Sequence, residues 1–254
     1  MATAFDVRQL QTPIVQAGMG FVARHELAAA VSDAGGLGTI AGVGLPIAAE
    51  LEAARRLTGR PIAVNLLLPF AGPEDFEAAG AADVVVTFWG EPHRPAAATW
   101  IHQCGSVDEA LAAAAAGADA VIAQGSEAGG HVRGDTPVLE LVERVRGAIR
   151  LPVLAAGGIV DADGVCTALD AGAAAAVLGT RFLLSDESRA HPAYKQRCLG
   201  AGDTLVTELF GLGWPDAPHR VIPNAATDRP GDEPRSPAPA TDDGPAELVA
   251  ALTP

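Results

Sequence analysis

Ala116-Gly117-Ala118-Asp119-Ala120-Val121-Ile122-Ala123-Gln124-Gly125 holds the fold in miniature. An alanine-rich segment stops at a glycine, small residues follow, and an apolar run opens into a second glycine. Upstream, Ser106 and Glu109 have capping-box spacing ahead of Ala110–Ala116, so that segment is a helix. Gly117 suits the left-handed turn that ends it. Ala120–Ala123 is apolar at every position rather than at alternate ones. A strand of that kind is covered on both faces and belongs to a parallel sheet.

Working outward, the succession of helix, glycine, small residues and strand recurs at Gly35 and Gly172. Eight strands are expected: Pro13–Gly18, Gly36–Gly42, Pro61–Leu68, Asp83–Gly90, Thr99–Gly105, Asp119–Gly125, Pro152–Gly158 and Ala175–Phe182. His25–Ala34 aligns Leu27, Ala30, Val31 and Ala34 on one helical face. Pro46 suits the first turn of a helix reaching about Thr58. Thr136-Pro137 opens another, striped by Val138, Leu141, Val142, Val145 and Ile149. Asp161 caps a further helix that closes at Gly172. Eight such units make an α/β fold of the (β/α)8 TIM-barrel type. An open doubly wound sheet is the alternative. Two units are short: the third helix has only Pro73–Ala82, and Glu91–Ala98 barely accommodates a fourth.

Composition narrows the function. The chain has 254 residues, 49% of them apolar, with a formal charge of -14 and no basic cluster. Nucleic acid and anionic membrane are therefore not expected partners. Cys104, Cys166 and Cys198 lack metal or redox spacing, and a sparse, odd count fits a reducing compartment. Met1–Leu10 has no apolar signal core, and no run is long enough to span a bilayer. These features point to a cytoplasmic protein. Residues 1–224 form the expected barrel and 225–254 a Pro/Asp-rich C-terminal tail. Ala225–Pro245 has the composition of a flexible segment, and Leu248–Leu252 has room for a short docking helix or a frayed end.

Barrel enzymes place their sites at the C-terminal ends of the strands, with phosphate commonly beyond the last two. Ala156-Gly157-Gly158-Ile159 ends the seventh strand and Leu178-Gly179-Thr180-Arg181 the eighth. Backbone amides there can face an anion. Tight turns alone are the alternative use of these glycines. Asn65, inside Ala63–Leu67, and Gln124 are amides in apolar strands that need polar partners. A cofactor ring is one partner, and a structural hydrogen bond is the other. Gln124-Gly125-Ser126-Glu127-Ala128-Gly129-Gly130-His131 ends on the residue type best suited to proton transfer near neutral pH. His25, His93, His102, His191 and His219 lack comparable context. There is no metal-ligand spacing, nucleophile elbow, Walker loop or dinucleotide fingerprint. Gly18-Met19-Gly20 is only a fragment of the last.

Pro13–Met19, Val64-Asn65, Gln124–His131, Gly157-Gly158-Ile159 and Leu178–Phe182 resemble the nitronate monooxygenase family, as do Tyr194–Thr204 and Arg220–Asn224. The likeness runs over roughly residues 10–224. It implies an FMN-containing barrel that oxidises alkyl nitronates, with nitroalkanes as further candidates, using O2 to form a carbonyl compound and nitrite. By this resemblance Met19, Gly20 and Asn65 lie near the flavin ring, and Gln124 and Gly129 contact FMN. Gly157, Gly158, Gly179 and Thr180 hold its phosphate. His131 removes the α-proton of a neutral nitroalkane. The expected partners are that small molecule and O2. Gly18 stands where the family often has proline, and the segments around residues 70–82 and 91–98 are shorter than usual. A more open active site is expected from them. An FMN-dependent enoyl reductase and a non-catalytic flavin-binding barrel are the competing readings.

Overall fold

The computed structural model describes residues 5–96, 99–210, 214, 216–224 and 227–228. The tail expected over 225–254 and the possible helix at 248–252 lie almost entirely outside them.

In chain order the elements are β1 (Ile14–Gln16), α1 (His25–Asp33), β2 (Gly38–Ala41), α2 (Ile47–Leu57), β3 (Ile62–Leu67), α3 (Pro73–Ala79), β4 (Val84–Phe88), β5 (Thr99–Cys104), α4 (Val107–Ala115), β6 (Ala120–Gln124), β7 (Gly130–His131), α5 (Val138–Ala148), β8 (Val153–Ala156), α6 (Ala162–Asp170), β9 (Ala175–Leu178), α7 (Thr180–Leu183), α8 (Pro192–Leu199), β10 (Leu205–Thr207) and β11 (His219–Val221). Eight strands form one parallel sheet in the order β1-β9-β8-β6-β5-β4-β3-β2. A parallel bridge from Val15 to Leu37 brings the two ends together. Gln16, fully buried, clasps this seam, because its Oε1 accepts from Thr39 N at 2.9 Å. The architecture is a TIM barrel.

Local signals act as the sequence suggests. Ser106 Oγ accepts from Glu109 N at 3.2 Å and Asp161 Oδ1 from Gly164 N at 2.8 Å, so both residues cap helices. Gly117 and Gly172 end α4 and α6 with φ of 88° and 91°. Glu109 departs from the ideal box. Its Oε2 reaches Gly105 N rather than the amide of Ser106.

Two apolar layers follow from strands buried on both faces. Val15, Ala63, Val86, Ile101, Ile122, Leu154 and Val177, one from each barrel strand except β2, form one cluster with Leu37, the residue before β2; this is the barrel interior. Phe5 and Val7 close its N-terminal end. A second cluster joins the outward faces of β5, β6, β8 and β9 to α4, α5 and α6. Leu141, Val142 and Val145 supply the α5 stripe and are at most 1% exposed.

Two expectations need correction. The last barrel strand stops at Leu178 rather than Phe182. Arg181 and Phe182 lie in α7, where the amides of Phe182 and Leu183 both donate to Gly179 O. The helix barely accommodated by Glu91–Ala98 is not formed among the described residues, because 89–96, after β4, are bends and coil. A further element was not anticipated. β7, β11 and β10 pair antiparallel into a small second sheet. Since β7 belongs to the loop leaving β6, this sheet sits at the C-terminal mouth of the barrel.

Candidate active site

Alternation along each strand decides what faces the mouth. Ala63 and Ile122 point into the barrel, so Asn65 and Gln124, two residues further on, point inward at its upper rim. Asn65 is 7% exposed, and its Nδ2 donates to Val86 O at 3.4 Å. Gly18 packs directly on it, and a Cβ at Gly18 would fall 2.5 Å from the Asn65 Cβ. Gln124 is committed to the backbone. Its Nε2 donates to His131 O at 3.0 Å, and its Oε1 accepts from Arg133 N at 2.9 Å. It therefore clamps the loop carrying His131.

The expected glycines gather in a second group. Gly157 and Gly158 have φ of 123° and 67°, conformations that favour glycine. A Cβ on Gly157 would lie 3.1 Å from Ala128 N, and one on Gly158 3.0 Å from the Glu127 Cβ. The loop after β8 thus lies against the loop after β6. A Cβ on Gly129 would reach 3.0 Å from Thr180 Oγ1, which brings the loop after β9 into the same group. Gly179 differs. A Cβ there would meet only Ala17 Cβ at 3.6 Å and Met19 Sδ at 3.9 Å. Gly20 stands away from this group, its nearest neighbour being Val43. Glu127 is occupied elsewhere, since its carboxylate accepts from Val138 N at 2.9 Å and so caps α5.

His131 lies on the small sheet above the mouth. Its Nδ1 is 3.1 Å from Ala217 O. A carbonyl only accepts, so Nδ1 carries the proton and Nε2 holds the lone pair. Nε2 is buried and has no partner among the described residues. Burial pushes the imidazole down to about 4 despite the raising effect of the Ala217 bond, so the ring is neutral at pH 7.

Aromatic rings surround it. Trp214 lies 3.8 Å from the His131 ring, His219 4.3 Å and Trp89 6.0 Å, centroid to centroid. Trp89 has φ of 66°, unusual for a residue with a side chain. That backbone places its indole 4.8 Å from Trp214 and under the Arg133 guanidinium at 5.0 Å. Arg133 is held in turn by Glu109 Oε1 at 2.7 Å. The short connections after β3 and β4 therefore do not leave His131 open to solvent, because the small sheet and Trp214 roof it.

No local motif in the sequence marks His219. It opposes His131 directly in the β7–β11 pairing. Burial, then the charge of His131, pushes its ring down to about 3. Trp214 gave no sequence signal either. Among the described residues, a cleft lined by Arg197, Gly200, Asp203 and Ile222 lies by α8 and includes none of the expected site residues.

Comparison with known proteins gives a consistent picture. The nitronate monooxygenase family profile matches residues 2–93 and 91–245. A nitronate monooxygenase of Pseudomonas aeruginosa is 35% identical, over 85% of this chain and 80% of that protein. An octahydro-indene carboxyl-CoA dehydrogenase of Rhodococcus jostii is 37% identical over 84% of this chain. The chain spans only 63% of that relative's length. The crystal structure of a nitroalkane oxidase from Streptomyces ansochromogenes superposes with a TM-score of 0.78 at 32% identity, covering 97% of this chain and 85% of that one.

Proposed function

The chain belongs to the nitronate monooxygenase family, a family of flavin-dependent oxidoreductases, and on that premise we propose that it oxidises alkyl nitronates with O2 to a carbonyl compound and nitrite, using FMN. The observation that carries the reading is His131. It is a neutral imidazole whose Nε2 lone pair is buried, unpartnered and ringed by apolar surface.

The residues at the mouth fit a phosphate-bearing flavin. Gly157, Gly158, Gly129 and Gly179 offer backbone without side chains where three strand-end loops converge. No side chain caps α7, and the Thr180 hydroxyl lies within that group. These residues would hold the phosphate, with Met19, Gly20 and Asn65 toward the ring. Gln124 would support the ring through the loop it clamps. When bound, the flavin supplies the oxidising chemistry, and the protein orients and desolvates the reactants.

A neutral nitroalkane needs a proton removed first. His131 Nε2 is the acceptor, and Nδ1–H, fixed on Ala217 O, keeps that tautomer in place. A ring held at about 4 is by itself a weak base. The anion formed as the proton departs lies beside it and favours the charged ring. A nitronate has already lost that proton and does not need the base. Trp89, Trp214 and Phe88 exclude water from the reacting carbon.

His131→Ala tests this division. Oxidation of nitroethane should fall by roughly 10²–10⁴, the usual contribution of a general base. Oxidation of pre-formed ethyl nitronate should change little. Equal losses on both substrates would remove the base assignment. The likeness to the Rhodococcus dehydrogenase favours a second reading, a flavin-dependent dehydrogenase or reductase acting on an acyl-CoA. Rapid flavin reduction by NADH or NADPH, with no response to nitronates, would establish that reading instead.

A further inference from the structure

Three buried polar atoms at the barrel mouth have no hydrogen-bond partner among the described residues: His131 Nε2, Trp214 Nε1 and His219 Nδ1. The Trp214 and His219 rings both lie against His131. Trp214 is only 4% exposed. A buried indole N–H ordinarily meets an acceptor, and leaving a buried donor unmet is unfavourable. His131 Nε2 is accounted for by the proposed proton transfer. The other two atoms are not.

We propose that Trp214 and His219 hold the two oxygens of the substrate nitro group while His131 takes the α-proton. This rests on the reaction proposed above and names the residues that position its substrate. The indole N–H can only donate. His219 faces an oxygen as a donor when its proton is on Nδ1. Both donors belong to rings that lie against the base, at 3.8 and 4.3 Å, and a nitroalkane presents a C–H bond adjacent to a planar pair of acceptor oxygens.

The electron count favours the same assignment. As the C–H bond breaks, its proton goes to His131 Nε2. Its electron pair forms the C=N bond of the nitronate and drives negative charge onto the two oxygens. Donors aimed at charge that grows in the transition state accelerate the step, and a site shielded from water strengthens them. The same donors hold a nitronate that arrives already ionised. Phe70 and Trp89 pack on Trp214 at 5.2 and 4.8 Å, and these rings would take the alkyl group.

Nitrate is a suitable probe, being a planar anion with adjacent N–O acceptors. Calorimetric titration of the flavin-loaded protein with nitrate should show binding in the wild type. Trp214→Phe keeps an aromatic ring and removes the donor, and His219→Phe does the same for the imidazole. Each should weaken nitrate binding about 10-fold and lower kcat/KM for nitroethane by roughly 10²-fold. His219→Asn retains an N–H near the δ position and should recover most of both losses. Flavin content and near-ultraviolet circular dichroism report whether each variant is folded. Wild-type nitrate affinity in both Phe variants would overturn the proposal. So would equal losses in His219→Asn and His219→Phe, or no nitrate binding by the wild type. Weakened nitrate binding in a protein that turns over no nitronate would keep the anion site and reject the reaction. Normal nitronate turnover with unchanged nitrate affinity would keep the reaction and reject the donors.

Discussion

Replacing Gly179 with alanine separates the folding role of the strand-end glycines from their proposed phosphate role. The structure sets the two costs. At Gly179, φ is −107°, so a side chain introduces no left-handed strain. Its Cβ would stand 3.6 Å from Ala17 and 3.9 Å from Met19 Sδ, both ordinary contacts. The folding penalty should stay below about 1 kcal/mol. The penalty for the ligand is different. A methyl group at the backbone keeps a phosphate from close approach to the amides. Losing one charge-assisted hydrogen bond costs about 1.5–3 kcal/mol, or roughly a 10- to 150-fold rise in Kd. Gly158→Ala is the contrasting variant. Its φ of 67° costs about 1–2 kcal/mol for a residue with a Cβ, and that Cβ would also press on Glu127 at 3.0 Å. Its melting temperature should fall by roughly 2–8 °C. Quenching of free FMN fluorescence on binding gives Kd, and thermal melting of the flavin-free protein gives stability. Gly179→Ala with wild-type melting and wild-type FMN affinity would refute the phosphate role of that loop.

The buried ionisable groups set the remaining expectations. His131 and His219 are held well below the ordinary histidine value of 6.5, at about 4 and about 3. The unfolded chain binds protons on these rings as pH falls below 6.5 while the folded chain does not, so stability should drop from pH 6.5 toward 4. His219→Phe should flatten that part of the melting profile. Activity on nitroethane needs the neutral His131 ring and should therefore fade only as pH approaches 4 in the free enzyme. Glu50, 3% exposed, accepts from Arg24 at 2.6 Å and from His25 N at 3.0 Å. Burial alone would raise this carboxyl, but the Arg24 and His25 bonds outweigh it and hold it below its ordinary value. Glu50→Ala should destabilise the fold by about 3 kcal/mol in chemical denaturation.

The barrel was legible because its signals are local. Gly117 and Gly172 sit at helix ends with positive φ, Ser106 and Asp161 cap, and the strand runs are apolar on both faces. Each of these choices depends on neighbours within a few residues. The error at Phe182 has the same origin. An apolar run continues past Leu178, but the turn at Gly179 starts a helix. The roof over His131 was not legible. Its strands are two or three residues long, and His131 bonds Ala217 across 86 positions. Neither Trp214 nor His219 carries a periodic pattern or motif that reports such a pairing. The same gap explains Gln124. Its strand-end position suggested a polar contact, but only the fold reveals that the contact is the backbone of His131 and Arg133.

Nitronate oxidation is read directly in the visible spectrum of the purified protein supplied with FMN and mixed anaerobically with propyl nitronate. Bound flavin should bleach on mixing and recover its absorbance with air, with nitrite released. A bound flavin that ignores the nitronate, or a protein that takes up no flavin at all, would contradict it.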